Sequence, residues 1–318
     1  MSSNERERVV GTQMFQWSGR VDSETDPSTF RYHQVVNEPR QNKFVRLIGF
    51  ASEEGVRRNS GRLGAKQAPK FVREQLSSIP WTLPSEVSIE DAGDIEIQGN
   101  DLEGGYVKLK QAVSETIQQE GLAIVIGGGH ETTYGNYLGV REALGEDVKL
   151  GIINIDAHYD MRPYDQQVSS GTMFLQIQDE DPNASYCVLG IQPFGNTTSL
   201  HNVAKDYDVT VMEAAEVTMS NWEKIKRQLQ EFMNMQDAVY LTLCVDVLNT
   251  AYAPGVSATT PLGIDPFITN KIIDYVMQQN KAVSFDICEI NPTYDRDNQT
   301  AKLGAYFINQ AIVARMNP

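Results

Sequence analysis

The chain of 318 residues has only four histidines, and two of them lie in runs that could bind a cation. His130 closes the turn Gly127-Gly128-Gly129-His130 and is followed by Glu131, Thr132 and Thr133. Three glycines let the backbone turn sharply and approach another group closely. The second run is Asp156-Ala157-His158-Tyr159-Asp160. Its ligand-type residues recur at every second position, so an extended backbone carries all three to one side, roughly 6.6 Å per step. Two carboxylates and an imidazole on one face repel and desolvate badly without a cation. A third run, Cys244-Val245-Asp246, puts a thiol and a carboxylate on a common face. Asp156, Asp160 and Asp246, with His130 and His158, could hold two divalent ions. Oxygen-rich sites with imidazole suit Mn²⁺ first, with Fe²⁺, Co²⁺ or Zn²⁺ as alternatives. Metals paired roughly 3.5–4 Å apart can generate hydroxide at neutral pH and polarise a substrate. Each run alone has a plainer reading: a capped strand end, a structural or phosphate-cradling turn, a cysteine serving as a small core residue. All three following strands of one sheet favour the metal.

Those runs need elements to carry them. Short β-rich segments recur at 44–50, 122–126, 150–155, 186–191, 209–212, 239–245 and 282–285, and most are apolar on both parities. That pattern suits strands covered on both faces. Between them, Leu109, Ala112, Val113 and Ile117 fall on one helical stripe, as do Trp222, Ile225, Leu229, Phe232 and Met233. Leu303, Phe307, Ile308 and Ile312 predict a C-terminal helix. Strand–helix alternation predicts an α/β fold with a parallel sheet, whose active site gathers outside the carboxyl ends of the strands. Neither a low-complexity linker nor a repeat breaks the chain, so we expect one domain over 1–318, with 1–40 as an N-terminal extension packed on it.

Composition narrows the function. Lys and Arg number 27 against 42 Asp and Glu, a formal charge of −15, which argues against nonspecific nucleic-acid binding. Three scattered cysteines make no disulfide framework and suit a reducing compartment. The longest apolar runs fall far short of the roughly 20 residues that span a membrane, and residues 1–10 lack the apolar core of a signal peptide. The expected partner is a small-molecule substrate, with no nucleic acid and no membrane, at a cytoplasmic address.

The order Gly-Gly-x-His, then Asp-Ala-His-x-Asp, then paired ligands followed by Ala253-Pro254-Gly255, resembles the ureohydrolase (arginase–agmatinase) superfamily from about Arg46 to the C-terminus. Local runs at 17–22, 31–36, 55–62, 190–193 and 253–258 are similar to the branch that acts on N-formimidoyl-L-glutamate. The resemblance implies a three-layer α/β/α sandwich around a mostly parallel sheet. It also implies a binuclear Mn²⁺ site and attack of a metal-bridging hydroxide on the amidine carbon, yielding L-glutamate and formamide. The implied metal set is His130, Asp156, His158, Asp160, Cys244 and Asp246. His130 and Asp160 would hold one ion and His158 the other, with Asp156 bridging and Asp246 completing the cluster. Glu289 would bind the amidinium, and Asp160 would also hydrogen-bond the leaving group. Oligomers are common in the superfamily, so a homo-oligomer is in view.

Two departures stand out. Cys244 replaces the usual bridging Asp; as thiol or thiolate it leaves the second ion weaker or changes the preferred metal. Phe174 occupies the position of the arginase proton-shuttling His, so that shuttle is absent. For the substrate carboxylates we expect Arg162 first, with Gln192 and Asn196 as polar contacts. Arg57, Arg58 and Arg62 fit a solvated loop, a salt bridge or a substrate role equally well. Rival readings are a ureohydrolase releasing urea from an anionic guanidino acid, and a metal-binding scaffold that has lost activity.

Overall fold

The computed structural model describes residues 14–164 and 167–317; of the expected extension, residues 1–13 lie outside the described residues. Eight strands form one sheet: β1 Lys43–Ala51, β2 Val87–Glu96, β3 Leu122–Ile126, β4 Leu150–Ile155, β5 Ala184–Ile191, β6 Thr210–Glu213, β7 Ala238–Cys244 and β8 Ala282–Cys288. Their order is β2-β1-β3-β8-β7-β4-β5-β6, and every pair is parallel. The α/β/α expectation is met.

Alternation along the strands explains the three layers. In β3, Ile124 and Ile126 face one core and Ala123 and Val125 the other; in β7, Leu241 and Leu243 oppose Ala238 and Tyr240. Successive side chains point to opposite faces of a sheet, so strands apolar on both parities must be covered twice. The helices Ala68–Leu76, Trp222–Asn234, Pro266–Met277 and Gln299–Met316 bury Val72, Leu229, Ile272 and Ile308 in the first core. The helices Leu102–Gln118, Thr132–Leu144 and Met173–Glu180 bury Leu109, Val140 and Ile177 in the second.

Strand β2 was not among the expected strands: Glu90 and Asp91 break any polar–apolar alternation, although from Ile89 to Glu96 buried and more exposed positions do alternate as in an edge strand. Its neighbourhood receives the N-terminal segment. Trp17 Nε1 donates to Asp91 Oδ2 at 2.8 Å, Tyr32 N donates to Ile79 O, and Tyr32 Oη donates to Asn309 Oδ1. No helix among the described residues is long and apolar enough to cross a membrane.

Candidate metal centre

Four central neighbours, β3, β8, β7 and β4, each end at a chemically equipped segment. Their register is level: Ile126 pairs with Ile287, Leu243 with Ile287, and Ile155 with Leu243. The next residues along are therefore Gly127, Cys288, Cys244 and Asp156, in one row across the sheet. At Gly128 the chain passes so close to the end of β1 that an added Cβ would lie 1.7 Å from Ser52 O. Only glycine fits there, and that passage delivers His130 to the row.

Asp156, His158 and Asp160 do converge, but not on extended backbone as their spacing suggests. β4 stops at Ile155. His158 N donates to Asp156 Oδ1 at 2.8 Å, a turn in which the carboxylate caps its own downstream amide. Asp160 then adopts φ +47°, in the left-handed region that is uncommon for non-glycine residues. Tyr159 N donates to Asn196 Oδ1, while Asn196 Nδ2 donates to the carbonyls of Ala157 and Gln192.

The ligand atoms of His130, Asp156 and Cys244 all lie within 4.8 Å of one another, and so do those of Asp156, His158 and Asp246. Asp156 belongs to both sets. His130 Nδ1 is 3.1 Å from Asp156 Oδ2 and 2.9 Å from Asp160 Oδ2; His158 Nδ1 is 3.3 Å from Asp246 Oδ2. Burial opposes charge on both imidazoles, yet the carboxylates outweigh it. His158 is pushed up to about 12, chiefly by Asp246 and Asp156 against burial, and His130 well above its ordinary value by Asp156 and Asp160. Asp156 is held below the ordinary carboxylate range because its bonds to His130 and His158 overcome burial. Asp246 Oδ1 is buried without a hydrogen-bond partner, which is costly unless a cation satisfies it. The donor set therefore fits divalent metal.

A small cavity of about 110 Å³ opens over these groups. His130, His158, Asp160, Cys244, Asp246 and Glu289 form its floor. Glu289 has φ +66° and accepts from His130 N at 3.0 Å. Burial, with Asp246 and Glu131 nearby, pushes its carboxyl up to about 8. Burial and the surrounding carboxylates, Asp156 first, push the Cys244 thiol well up.

Arg162 lines the cavity wall; it is exposed, and its guanidinium has no partner among the described residues. Asn59 and Ser170, which sequence reasoning passed over, stand beside it. A Cβ on Gly171 would meet Arg162 Cδ at 3.1 Å and Asn59 Nδ2 at 3.2 Å, so glycine keeps these donors close together. Both residues fall inside runs that already stood out, but nothing local marks them as pocket-facing. Asn196 reaches the cavity with its amide engaged on the metal loop. Gln192 does not line it: its Nε2 donates to Leu262 O at 2.9 Å and ties two loops together. Arg57, Arg58 and Arg62 are all engaged, by Glu54, by Glu54 and Glu103, and by the Val256 and Ser257 carbonyls. Phe174 sits outside the cavity lining, stacked on Tyr186 with ring centroids 4.1 Å apart and edge-on to His130.

Residues 43–314 match the model of the arginase family. The chain belongs to that family. Among its arginase-family relatives, it is 47% identical over 305 residues to a protein named formimidoylglutamase from Geobacillus sp. (strain WCH70), covering 93% of this chain and 94% of that one. It is 47% identical over 309 residues to another so named from Lysinibacillus sphaericus, covering 95% and 96%. In structure it is similar to formimidoylglutamase from Bacillus subtilis, with TM-score 0.83, 22% identity and coverage of 94% and 96%. It is also similar to Trypanosoma cruzi formiminoglutamase with Mn2+2, with TM-score 0.80, 24% identity and coverage of 91% and 99%. At those identities the solved structures establish the arginase-family fold.

Proposed function

We propose that this arginase-family chain hydrolyses N-formimidoyl-L-glutamate to L-glutamate and formamide, using a divalent metal pair, preferably Mn²⁺. The observation that carries the reading is the sharing of Asp156 by two ligand sets at the floor of a cavity whose wall carries the exposed cation Arg162. Relatives named formimidoylglutamase, aligned over more than nine-tenths of both chains, support the choice of substrate.

In this reading His130, Asp156 and Asp160 would hold one ion, and Asp156, His158 and Asp246 would hold the other, with Cys244 beside the first set. When bound, the pair would supply Lewis acidity, polarising the amidine and acidifying water. The chain's own groups do the rest. Glu289 accepts N–H bonds from the amidinium and orients its carbon over the floor. Arg162 takes a substrate carboxylate in a charge-assisted pair, with Asn59 and Ser170 as neighbouring donors. Water adds to the amidine carbon, the bond from that carbon to the glutamate nitrogen breaks, and the nitrogen leaves carrying a proton. Asp160 is placed to hydrogen-bond that nitrogen. Phe174 can move no proton, so the transfer falls to a carboxylate or to water. Cys244 gives the cluster one fewer carboxylate than the superfamily pattern, which leaves one of the two ions more weakly held. The buried unpaired cysteines support a cytoplasmic address.

The test is purified protein, Mn²⁺ and N-formimidoyl-L-glutamate, with formamide and glutamate both measured. Guanidinobutyrate, guanidinopropionate and agmatine run alongside. Urea from a guanidino acid with no formamide from the amidine would replace the substrate assignment; no turnover of any would favour a scaffold.

A further inference from the structure

On the side of the His130 ring away from the carboxylates lies a buried polar network that the reaction above does not use. His130 Nε2 is 3.1 Å from Thr242 Oγ1, which is 3.0 Å from Thr133 Oγ1. Thr133 Oγ1 donates to Asp286 Oδ1 at 3.1 Å. Asn136 Nδ2 donates to Asp286 Oδ2 at 2.8 Å, and Cys288 Sγ reaches Asp286 Oδ1 at 3.5 Å. Thr133, Asn136, Thr242 and Asp286 are all fully buried. His130, Asp286 and Cys288 could be taken for a metal site by proximity alone. However, donors already occupy both oxygens of Asp286, so it ends a hydrogen-bond chain instead.

We propose that Asp286 is a positioning residue that holds His130 as the tautomer protonated at Nε2, leaving Nδ1 a lone pair for metal. The inference rests on the metal-centre reading above. A carboxylate brings no proton and only accepts, and each threonine hydroxyl has one proton to give. Asn136 serves one oxygen of Asp286; the other draws the hydroxyl protons toward itself. Thr133 gives its proton to Asp286, and Thr242 gives its own in the same direction. Thr242 therefore turns a lone pair toward Nε2, and the imidazole must donate there. A neutral imidazole has one donor and one acceptor nitrogen, so Nδ1 is left as the acceptor. That nitrogen faces Asp156 and Asp160, where a cation would be shared. Reversing the chain would place the proton on Nδ1 and block the ligand. Outer partners of metal-binding histidines commonly change metal affinity about ten- to a hundredfold.

The experiment strips wild type, Asp286→Asn, Thr242→Val and Thr242→Ser with chelator, then titrates each with MnCl₂ for affinity and stoichiometry. Melting temperatures of the stripped proteins are recorded beside them. Asp286→Asn and Thr242→Val should weaken one of two Mn²⁺ sites about ten- to a hundredfold, while Thr242→Ser, which keeps the hydroxyl, should match wild type. Unchanged affinity at both sites in Asp286→Asn overturns the inference, whatever its melting temperature. Thr242→Ser binding as weakly as Thr242→Val overturns it too, because the hydroxyl would then be irrelevant. If Asp286→Asn does not fold, the two Thr242 variants decide. Wild type that binds no Mn²⁺ overturns the metal-centre reading as well, so the two failures are distinguishable.

Discussion

Replacing Cys244 with Asp tests whether the strand ends really gather charge. The side chain is buried, and its ligand atom lies within 4.8 Å of those of His130 and Asp156. Two like charges at 4.8 Å repel by about 3.5 kcal/mol at an effective dielectric constant of about 20. The His130 imidazolium offsets much of the repulsion from Asp156, but Asp246, Asp160 and Glu289 also oppose a negative charge here. A net cost of about 1–3 kcal/mol is expected without metal, a fall in Tm of about 1.5–4.5 °C for a chain of this size. With metal the sign reverses: a carboxylate in place of a neutral thiol adds a harder, charged donor. A tenfold tighter Kd for one Mn²⁺ adds about 1.4 kcal/mol to the holoprotein at saturation. The assay is a melting curve for wild type and Cys244→Asp, each in chelator and in graded MnCl₂, with Kd from calorimetry. The variant should melt lower than wild type in chelator and gain more on Mn²⁺ addition. Equal melting in chelator together with equal Mn²⁺ affinity would refute the claim that position 244 faces the ligand cluster.

Arg162→Ala should raise KM for formimidoylglutamate about tenfold or more with little change in kcat, since a charge-assisted bond contributes about 1.5–3 kcal/mol and this one is partly screened; steady-state kinetics decide, and an unchanged KM removes Arg162 as the carboxylate clamp. Glu289→Gln should lower kcat/KM about ten- to a hundredfold while leaving Mn²⁺ stoichiometry intact, and lost metal would instead make it a ligand. Chelator should abolish turnover and Mn²⁺ restore it; activity that survives exhaustive stripping contradicts the metal reading. Away from the site, burial raises the Glu90 carboxyl but Arg40 and Arg46 outweigh it, so its folded value is lowered. That stability is present above the unfolded pKa and is lost as pH falls through the folded one. Glu90→Gln should therefore cost about 1–3 kcal/mol near neutrality and progressively less in acid, as read from melting against pH.

Much of the architecture was legible because strand and helix periodicity are local. Leu122–Ile126 and Leu150–Ile155 coincide with β3 and β4 residue for residue, since buried parallel strands are apolar throughout. The edge strand β2 escaped because one face meets polar surroundings. The helices Thr132–Leu144 and Thr198–Asp206 also escaped: the first follows the glycine turn with little amphipathic contrast, and the second buries only Ala204.

By itself the sequence determined which residues could bind cations and that each follows a strand, because side-chain chemistry and chain order are local properties. It also showed that Cys244 and Phe174 depart from the superfamily pattern. Only the tertiary structure decided that β3, β8, β7 and β4 lie side by side with their ends level, because strand order and register depend on pairings between distant segments. It likewise decided that Asp160 reaches its place through a left-handed residue, that Gln192 is spent on another loop, and that Asn59 and Ser170 stand beside Arg162. A side chain's partners are set by packing across the fold, and no spacing along the chain encodes them.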